Sequence, residues 1–449
     1  MAAKGYLVAV IGAGPAGLYA ARALAQKGAR VVVFNRDIKP GGLAEYGIYH
    51  DKHKMKEGLR KQFQRILEMP GVTYLGNITI GQQGDLTLDD LRDLGFQAIL
   101  VTTGAQGTKS LGLPGEDLEG VYHAKEIVYH YNLLPPFSQQ TFAIGRRVGI
   151  IGVGNVMADI ATYLVKELQV DEVYAIARRG PFEVKFDKKE FKRFARNLDV
   201  EDFEKEIERI AERLRKVGQD PEEAKAHILS MAEGAPETGS PTVFRFRFLS
   251  SPKRILGDEN GRVKALEVED TELVLENGRT KAKKLGTTYT LDVDTVIFSI
   301  GDRVDPNFGL PLEWNAYATN PNPRFPVDGV SYETYDPEQG EPIEGIFVAG
   351  WARQPSTGLV GTARKDGENA AEALWQYLQT LEPTDVDVDA VVAQIRAKVS
   401  KPLVTQEDLK RLAEAEKTEA EKRGVPYFKF DSNEAMLQAM GLLPVSTGD

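Results

Sequence analysis

Residues 4–36 read KGYLVAVIGAGPAGLYAARALAQKGARVVVFNR, and the fold is decided in this stretch. The apolar run ending at Ile11 has strand character, and Gly12-Ala13-Gly14-Pro15-Ala16-Gly17 is a turn. Ala16 to Gln26 has helical period and stops near Gly28, and Arg30 to Phe34 is β-branched again. Strand, glycine turn and helix in this order make the first half of a dinucleotide-binding unit. The glycines allow the tight turn, and they let backbone N–H groups and the helix N-terminus face a pyrophosphate. Where an acid would close the second strand and hold a ribose hydroxyl, this chain has Asn35, with Asp37 two residues on. An amide oxygen accepts a hydrogen bond there without bringing a charge.

The same order returns in VGIIGVGNVMADIATYLVKEL, residues 148–168, followed by a strand from Val173 to Ala177. Its turn, Gly152-Val153-Gly154-Asn155-Val156-Met157-Ala158, carries alanine in the last glycine position, and the strand after it runs into Arg178-Arg179-Gly180. An arginine pair in place of an acid accepts a 2′-phosphate, which favours NADP(H) over NAD(H). A chain of 449 residues is long for one hydrophobic core. Two Rossmann-like α/β domains are therefore expected.

Composition narrows the chemistry. The chain has no cysteine, which excludes structural disulfides, thiolate metal sites, cysteine-held iron–sulfur clusters and a redox-active dithiol. Electrons handled here must sit on a bound organic cofactor, and no metal is expected. A net charge of −10 argues against a nucleic-acid binder. No stretch reaches the roughly 20 apolar residues that a bilayer span requires. One early lysine, then an apolar strand running into a glycine motif, is not the pattern of a cleaved leader, so a cytoplasmic location is expected.

Further segments carry glycine where a ligand would need close approach. Pro40-Gly41-Gly42-Leu43-Ala44-Glu45-Tyr46-Gly47-Ile48 is too short and glycine-dense for a plain helix and suits a chain lying flat against a planar ring. A strand from Ala98 to Thr102 ends in Thr103-Gly104-Ala105, and Gly345 to Trp351 is an apolar strand ending at Gly350-Trp351. Pro355 to Thr362 then forms a loop before a helix around Asp366 to Leu378, whose N-terminus could stabilise electron density on a reduced flavin. Trp351 has two readings, core residue and cofactor stacking. Glu201 to Glu233 is charged and helical and reads as a solvated face; the turn Gly257 to Gly261 opens a β-hairpin region reaching Asp294; the tail from Asp385 is helical.

Together these residues resemble the adrenodoxin reductase family of ferredoxin–NADP(+) reductases from end to end. The specific parts are Gly42-Leu43 with Tyr46-Gly47-Ile48, Asn155-Val156, Arg178-Arg179-Gly180-Pro181, Glu190, Gly350-Trp351 with Thr357-Gly358 and Gly361-Thr362, and a tail running from Val404-Thr405 through Gly424-Val425-Pro426 to Glu434-Ala435-Met436-Leu437. The resemblance implies a flavoprotein of the three-layer ββα/αβα type. An FAD domain of residues 1–106 and 329–449 would enclose an NADP(H) domain of residues 107–328. Motifs and resemblance assign FAD to Gly12, Gly14, Pro15, Ala16, Gly17, Asn35, Gly42, Leu43, Ile78, Gly104, Gly350, Trp351, Gly358, Leu359 and Val360. They assign NADP(H) to Gly154, Asn155, Val156, Met157, Arg178, Arg179 and Glu190, and Glu190 would orient the nicotinamide end. Lys52 stands where the family pattern has a histidine near the flavin, with His50 and His53 beside it.

The activity implied is hydride transfer between NADP(H) and FAD, coupled to single-electron exchange with a ferredoxin-like carrier. Two alternatives are an NADPH diaphorase or quinone reductase, and an electron-transfer subunit of a larger complex. The latter resembles the small subunit of glutamate synthase, which shares the segment ending in Tyr46-Gly47-Ile48. Lys185, Lys188, Lys189, Lys192, Arg193 and Arg196 face only Asp187 and Glu190 in the same run, a local excess of four positive charges. The run reads either as a solvated helix face or as a docking patch for an acidic carrier.

Overall fold

The computed structural model describes residues 3–444, so the ends of the 329–449 segment and of the 1–106 segment lie outside the described residues. The chain divides into two units. One comprises residues 1–109, 129–139 and 301–449, and the other 110–128 and 140–300.

The first unit is built on a six-stranded sheet in the order Glu333–Asp336, Glu341–Val348, Ala98–Val101, Leu7–Ile11, Arg30–Asn35, Val72–Gly76. Every pairing is parallel except that between the first two strands. The central strands are apolar and buried on both faces, as parallel strands covered on both sides must be. One face takes the helices Pro15–Gln26, His53–Leu67 and Val360–Leu378; the other takes Ile78, Leu86, Leu91, Phe308, Tyr317 and the helix Val388–Lys398. The expected strand from Lys4 to Ile11 is divided at Tyr6. Ala3–Gly5 leaves the sheet to pair with Thr384–Val386, and the Tyr6 ring packs edge-on against Trp375.

The second unit has five parallel strands in the order Val243–Arg247, Glu172–Ile176, Arg147–Ile151, Thr295–Phe298, Val121–His123. A three-stranded antiparallel sheet, Ser250–Gly257, Val263–Glu276 and Arg279–Leu291, covers one face and shares a core of Ile151, Ile176, Ile255, Leu266, Val268 and Phe298 with it. This supplies the ββα layering, and the hairpin region lies where the turn residues put it. The charged segment 201–233 departs from its reading as a solvated face. It forms two helices, Val200–Arg215 and Pro221–Ala232, and buries Phe203, Ile207, Ile210 and Leu214. Its apolar residues recur at helical spacing beneath the dense charge, so the segment is amphipathic.

Residues 129–139 and 301–328, expected with the NADP(H) domain, fall in the first unit. Tyr129 and Leu134 pack on Tyr46, and Val304, Phe308 and Leu310 fill the sheet face opposite the motif helix. Burial of aromatic and aliphatic side chains, which boundary motifs do not report, draws them there.

The helices Pro15–Gln26 and Val360–Leu378 meet at glycine. A Cβ on Gly367 would stand 2.1 Å from the Ala16 carbonyl oxygen, whereas one on Gly58, in the helix His53–Leu67, meets nothing within 4 Å. Gly367→Ala must push two backbones apart and should cost about 1–3 kcal/mol. Gly58→Ala should gain up to about 1 kcal/mol from helix propensity. Thermal unfolding of the two variants checks this: opposite shifts of the midpoint are expected, and equal shifts would contradict the close contact.

Candidate nucleotide sites

In the first unit, parallel register aligns the strand ends. Ile11 pairs with both Phe34 and Val101, and Val101 pairs with Val348. The turns Gly12–Gly17, Thr103-Gly104 and Gly350-Trp351 therefore leave one edge of the sheet, the carboxyl edge where α/β sheets bind ligands. Gly12 adopts φ +107, and its Cβ would lie 2.5 Å from the Thr102 carbonyl oxygen. A Cβ on Gly17 would lie 2.0 Å from the Gly12 carbonyl oxygen, so two of the motif glycines are required by packing alone. Gly14 is different: beyond it nothing stands within 4 Å. It opens the helix Pro15–Gln26 with no side-chain cap and no acid in the first turn.

The second unit repeats this arrangement. Ile151 pairs with Ile176, Gly154 opens the helix Asn155–Tyr163 without a side-chain cap, and nothing lies within 4 Å of a Cβ built on it. The helix Val360–Leu378, opened by Leu359, is uncapped too. By contrast Thr87, Asp199, Asp220, Asp387, Thr405 and Ser432 each cap the helix they precede. Uncapped helix starts with free space before them fit phosphate groups, which satisfy the orphan N–H donors and complement the helix dipole. The residues present thus fit two dinucleotides.

Several assigned residues are engaged elsewhere. The Asn35 side chain is buried. Its Oδ1 accepts from Ala13 N at 3.1 Å, and its Nδ2 donates towards Asp37 O at 2.8 Å, Lys39 O at 3.1 Å and the Tyr74 hydroxyl at 3.2 Å. It clamps the glycine turn to the end of its neighbouring strand, and its donors are spent within the protein. Ile78 and Met157 are buried in the core, so a ligand would meet only their backbone. Asn155 is paired with Asp187: its Nδ2 donates to Asp187 Oδ2 at 2.8 Å and its Oδ1 accepts from Asp187 N at 2.7 Å. Val156 and Leu359, large and apolar, stand exposed at the two helix starts.

Trp351 is not core. Its side chain is partly exposed, with Nε1 donating to Thr357 O at 3.0 Å, and Gly350 N donates to Asp366 Oδ2 at 2.7 Å. Asp366 also pairs with Arg353, so this carboxylate ties the Gly350 turn to the helix Val360–Leu378. Gly42 adopts φ +50 and would bring a Cβ to 3.1 Å from Gly14 Cα, while Gly41 N donates to Ala13 O at 2.7 Å. The residues from Leu43 to Tyr46 form a single helical turn against the glycine motif.

Arg178 is exposed and Arg179 half-exposed, both just past the strand end Ile176. Among the described residues neither guanidinium meets a carboxylate. Other arginines of the unit are neutralised: Arg209, Arg213, Arg245 and Arg247 each pair with Asp or Glu. Glu190 stands 3.5 Å from Arg193, which also pairs with Asp159 at 3.1 Å. Lys185 N donates to Val153 O at 2.9 Å, so the basic run begins on the second glycine turn itself. Within that run Arg193 and Arg196 are paired, Arg196 with Glu237, while Lys185, Lys188 and Lys189 are exposed.

Lys52 precedes the helix His53–Leu67, and its carbonyl accepts from Lys56 N. Lys56, which belongs to no motif, is only 4% exposed. Its Nζ donates to Glu45 O at 3.0 Å and to Asn132 Oδ1 at 2.5 Å. Glu45 accepts two bonds from Arg60, at 2.7 and 2.8 Å, and one from Lys429 Nζ at 2.7 Å. Burial pushes the Lys56 ammonium down to about 7, helped by the charges of Lys429 and Arg60 and opposed by Glu45. Burial likewise pushes Lys429 down to about 8. The Glu45 carboxyl is raised by burial but ends well below the carboxylate range, because Lys429, Arg60 and Lys39 outweigh that effect. A signal for Lys56 existed: positions 56, 63, 66 and 67 form the buried stripe of this helix, and Lys56 is its only charged member.

The pattern of the pyridine nucleotide-disulphide oxidoreductase family matches residues 6–234, a span that includes both glycine turns. The chain is 27% identical to NADPH-ferredoxin reductase FprA of Mycobacterium leprae, covering 96% of this chain and 97% of that protein. It is 28% identical to the mitochondrial NADPH:adrenodoxin oxidoreductase of Arabidopsis thaliana, over 90% and 94%. It superposes on Mycobacterium tuberculosis FprA in complex with NADPH with a TM-score of 0.78 at 26% identity, covering 97% of this chain and 100% of that one. No helix among the described residues is long and apolar enough to cross a membrane. With no cysteine the chain has no counterpart to the disulphide in the family's name, but with its two uncapped glycine turns it belongs to the pyridine nucleotide-disulphide oxidoreductases.

Proposed function

We propose that this chain is an FAD-dependent NADPH:ferredoxin oxidoreductase, with FAD held by the first unit and NADP(H) by the second. The observation that carries the reading is the Arg178-Arg179 pair just past the end of the strand Glu172–Ile176, which meets no carboxylate among the described residues, whereas Arg209, Arg213, Arg245 and Arg247 of the same unit are each paired. The names of the relatives support the same nucleotide and the same class of acceptor. Bound FAD supplies the electronic chemistry, taking two electrons as hydride and passing them on singly.

The chain's own residues bind and orient. The Gly14 and Gly154 helix starts hold the two pyrophosphates, and Arg178 and Arg179 hold the 2′-phosphate. Glu190, kept in place by Arg193, is assigned to the nicotinamide end, and Lys52 to the flavin end. Asn35 acts at one remove: it holds the glycine turn in the shape the phosphates need, and Asp37 is left as the nearer acceptor for the ribose. The acidic carrier is drawn by Lys185, Lys188 and Lys189, the exposed lysines of the basic run, which with Lys192 are its members that meet no carboxylate among the described residues. A quinone reductase would need no such patch.

Arg178→Ala and Arg179→Ala should each lose about 1.5–3 kcal/mol of NADPH binding, roughly 10- to 100-fold in KM, with NADH little affected. Steady-state kinetics with both nucleotides tests this, and a double variant that keeps its preference for NADPH would remove the assignment.

Asn35→Glu would set a carboxylate against the carbonyls of Asp37 and Lys39. It should weaken FAD binding by about 1–3 kcal/mol, even though an acid is the usual residue at this position. Titration of apoprotein with FAD checks it; tighter binding would mean that the clamp is dispensable.

Reversal of Lys188 and Lys189 to glutamate should slow reduction of an acidic ferredoxin and leave quinone reduction unchanged. In the unaltered protein the ferredoxin rate should fall steeply with salt as the screening length shrinks from about 10 Å at 0.1 M to about 3 Å at 1 M. Equal salt slopes for the two acceptors would rule the patch out.

A further inference from the structure

Four cationic side chains and two carboxylates lie inside the first unit behind the Gly41–Gly47 segment. Lys39 meets Glu416 at 2.5 Å, and Glu45 meets Arg60 and Lys429 at 2.7 Å each. Lys56 sits among them with no carboxylate of its own, its ammonium held by a carbonyl and an amide oxygen. Asn132 is 2% exposed; its Oδ1 takes Lys56, its carbonyl takes Lys429 at 2.8 Å, and among the described residues its Nδ2 has no hydrogen-bond partner. With every group ionised the four cations exceed the two carboxylates by two, an excess that is expensive to hold in this setting and that lowers the proton affinity of Lys56 and Lys429. Such a surplus is tolerated where an anion completes it.

The cluster is joined directly to the first glycine turn. Lys56 grips the backbone of Glu45; a Cβ on Gly41 would meet Glu45 Cβ at 3.0 Å; Gly41 N bonds Ala13 O; and Gly42 packs on Gly14. Gly14 is the helix start with open space before it and no cap. We propose that Lys56, with Lys429 and Asn132, is a positioning residue for FAD, holding the Gly41–Gly47 segment against the glycine turn and lending the cofactor's phosphates a buried positive charge. This rests on the reading of the first unit as the FAD site.

Attraction between the phosphates and the ammonium works both ways, so FAD must raise the affinity of Lys56 for its proton by the factor that protonation raises the affinity for FAD. The groups facing Lys56 are Glu45, Lys429, Arg60 and the exposed Asp51, and Lys39 faces Lys429. Without FAD the Lys56 ammonium titrates near 7 and Lys429 near 8. Binding of FAD between pH 7 and 8.5 should therefore take up protons, and affinity should fall as pH rises through that range.

The test is calorimetric titration of the full-length chain, freed of nucleotide, with FAD in buffers of differing ionisation enthalpy at pH 6, 7.5 and 8.5. Net proton uptake at pH 7.5 and FAD affinity dropping on the order of tenfold towards pH 8.5 are expected. Lys56→Met should bind FAD on the order of tenfold more weakly at pH 6 and take up fewer protons at pH 7.5. Asn132→Asp, nearly isosteric, guards against a variant that does not fold. Its carboxylate keeps Lys56 charged throughout, so binding should become flat with pH. FAD binding without proton uptake in the unaltered protein, or equal uptake in all three proteins, would overturn this inference and leave the proposed function standing. A protein that binds no FAD at any pH would overturn both.

Discussion

Parallel pairing in register is the constraint on which the rest of this molecule depends. Because Ile11 is matched to Phe34 and Val101, and Ile151 to Ile176, each glycine turn is delivered to the carboxyl edge of its sheet beside the ends of neighbouring strands. A slip of one residue would exchange the two faces of a strand whose both sides are buried, so the register is held by the whole core. Both glycine turns, with the strand ends beside them, gather on those two edges. The two inner contacts of the first turn, Gly12 on the Thr102 carbonyl and Gly17 on the Gly12 carbonyl, leave no room for a side chain. Of the three, only Gly14 faces open space, so packing within the protein does not require a glycine there.

Around each turn stands a polar side chain whose partners are protein atoms. Asn35 clamps the first turn. The Thr102 hydroxyl, with Ile11 O at 3.0 Å and Gly12 O at 2.9 Å, braces it from below. Asp366 fixes the Gly350 turn, and the reciprocal pair of Asn155 and Asp187 fixes the second nucleotide turn to the basic run. Asn35 and Thr102 are buried and Asp366 is half-buried, where a hydrogen bond is stronger and an unpaired polar atom costs more than in water; the Asn155–Asp187 pair is more exposed. Short turns with several glycines would otherwise sample many shapes, because glycine loses more conformational freedom on folding than any other residue. The clamps supply the rigidity that the glycines remove.

Much of this was legible in the sequence, for reasons specific to particular residues. Alternation and apolar runs gave the strands around both motifs, since strands buried on both faces leave a continuous apolar signature, and Gly12 to Gly17 marks the turn that joins strand to helix. The place of Arg178-Arg179, just past the second strand, was legible because the motif fixes where that strand ends. Asn35 was read as a weakened ribose contact, because position along the strand tells which side chain reaches the edge but not which backbone groups wait for it. The segment 201–233 was read from its charges, while its stability comes from Phe203 and Ile210 on the hidden face. Lys56, Asn132 and Lys429 belong to three distant stretches of chain. No local pattern could bring them together, although a lysine on the apolar stripe of the helix His53–Leu67 was the one trace they left.

The electrostatics of the molecule follow a single logic. A chain with a net charge of −10 repels the two polyphosphate cofactors at long range, so binding depends on positive potential placed where the phosphates go. On the second unit that potential is at the surface. Arg178, Lys185, Lys188 and Lys189 are exposed and Arg179 half-exposed; exposed charges act on association rate and are screened by salt, which on the proposed reading suits a dissociable nucleotide and a carrier that must arrive and leave. On the first unit the positive charge is internal. Lys56 and Lys429 are 4% and 6% exposed, and the Gly14 helix start has no side-chain cap and no acid in its first turn. A buried charge is hardly screened and acts on the stability of the bound state, which suits a cofactor that stays. On the proposed reading the same arithmetic of charge separates a resident nucleotide from an exchangeable one, although both would be held at glycine turns of the same kind.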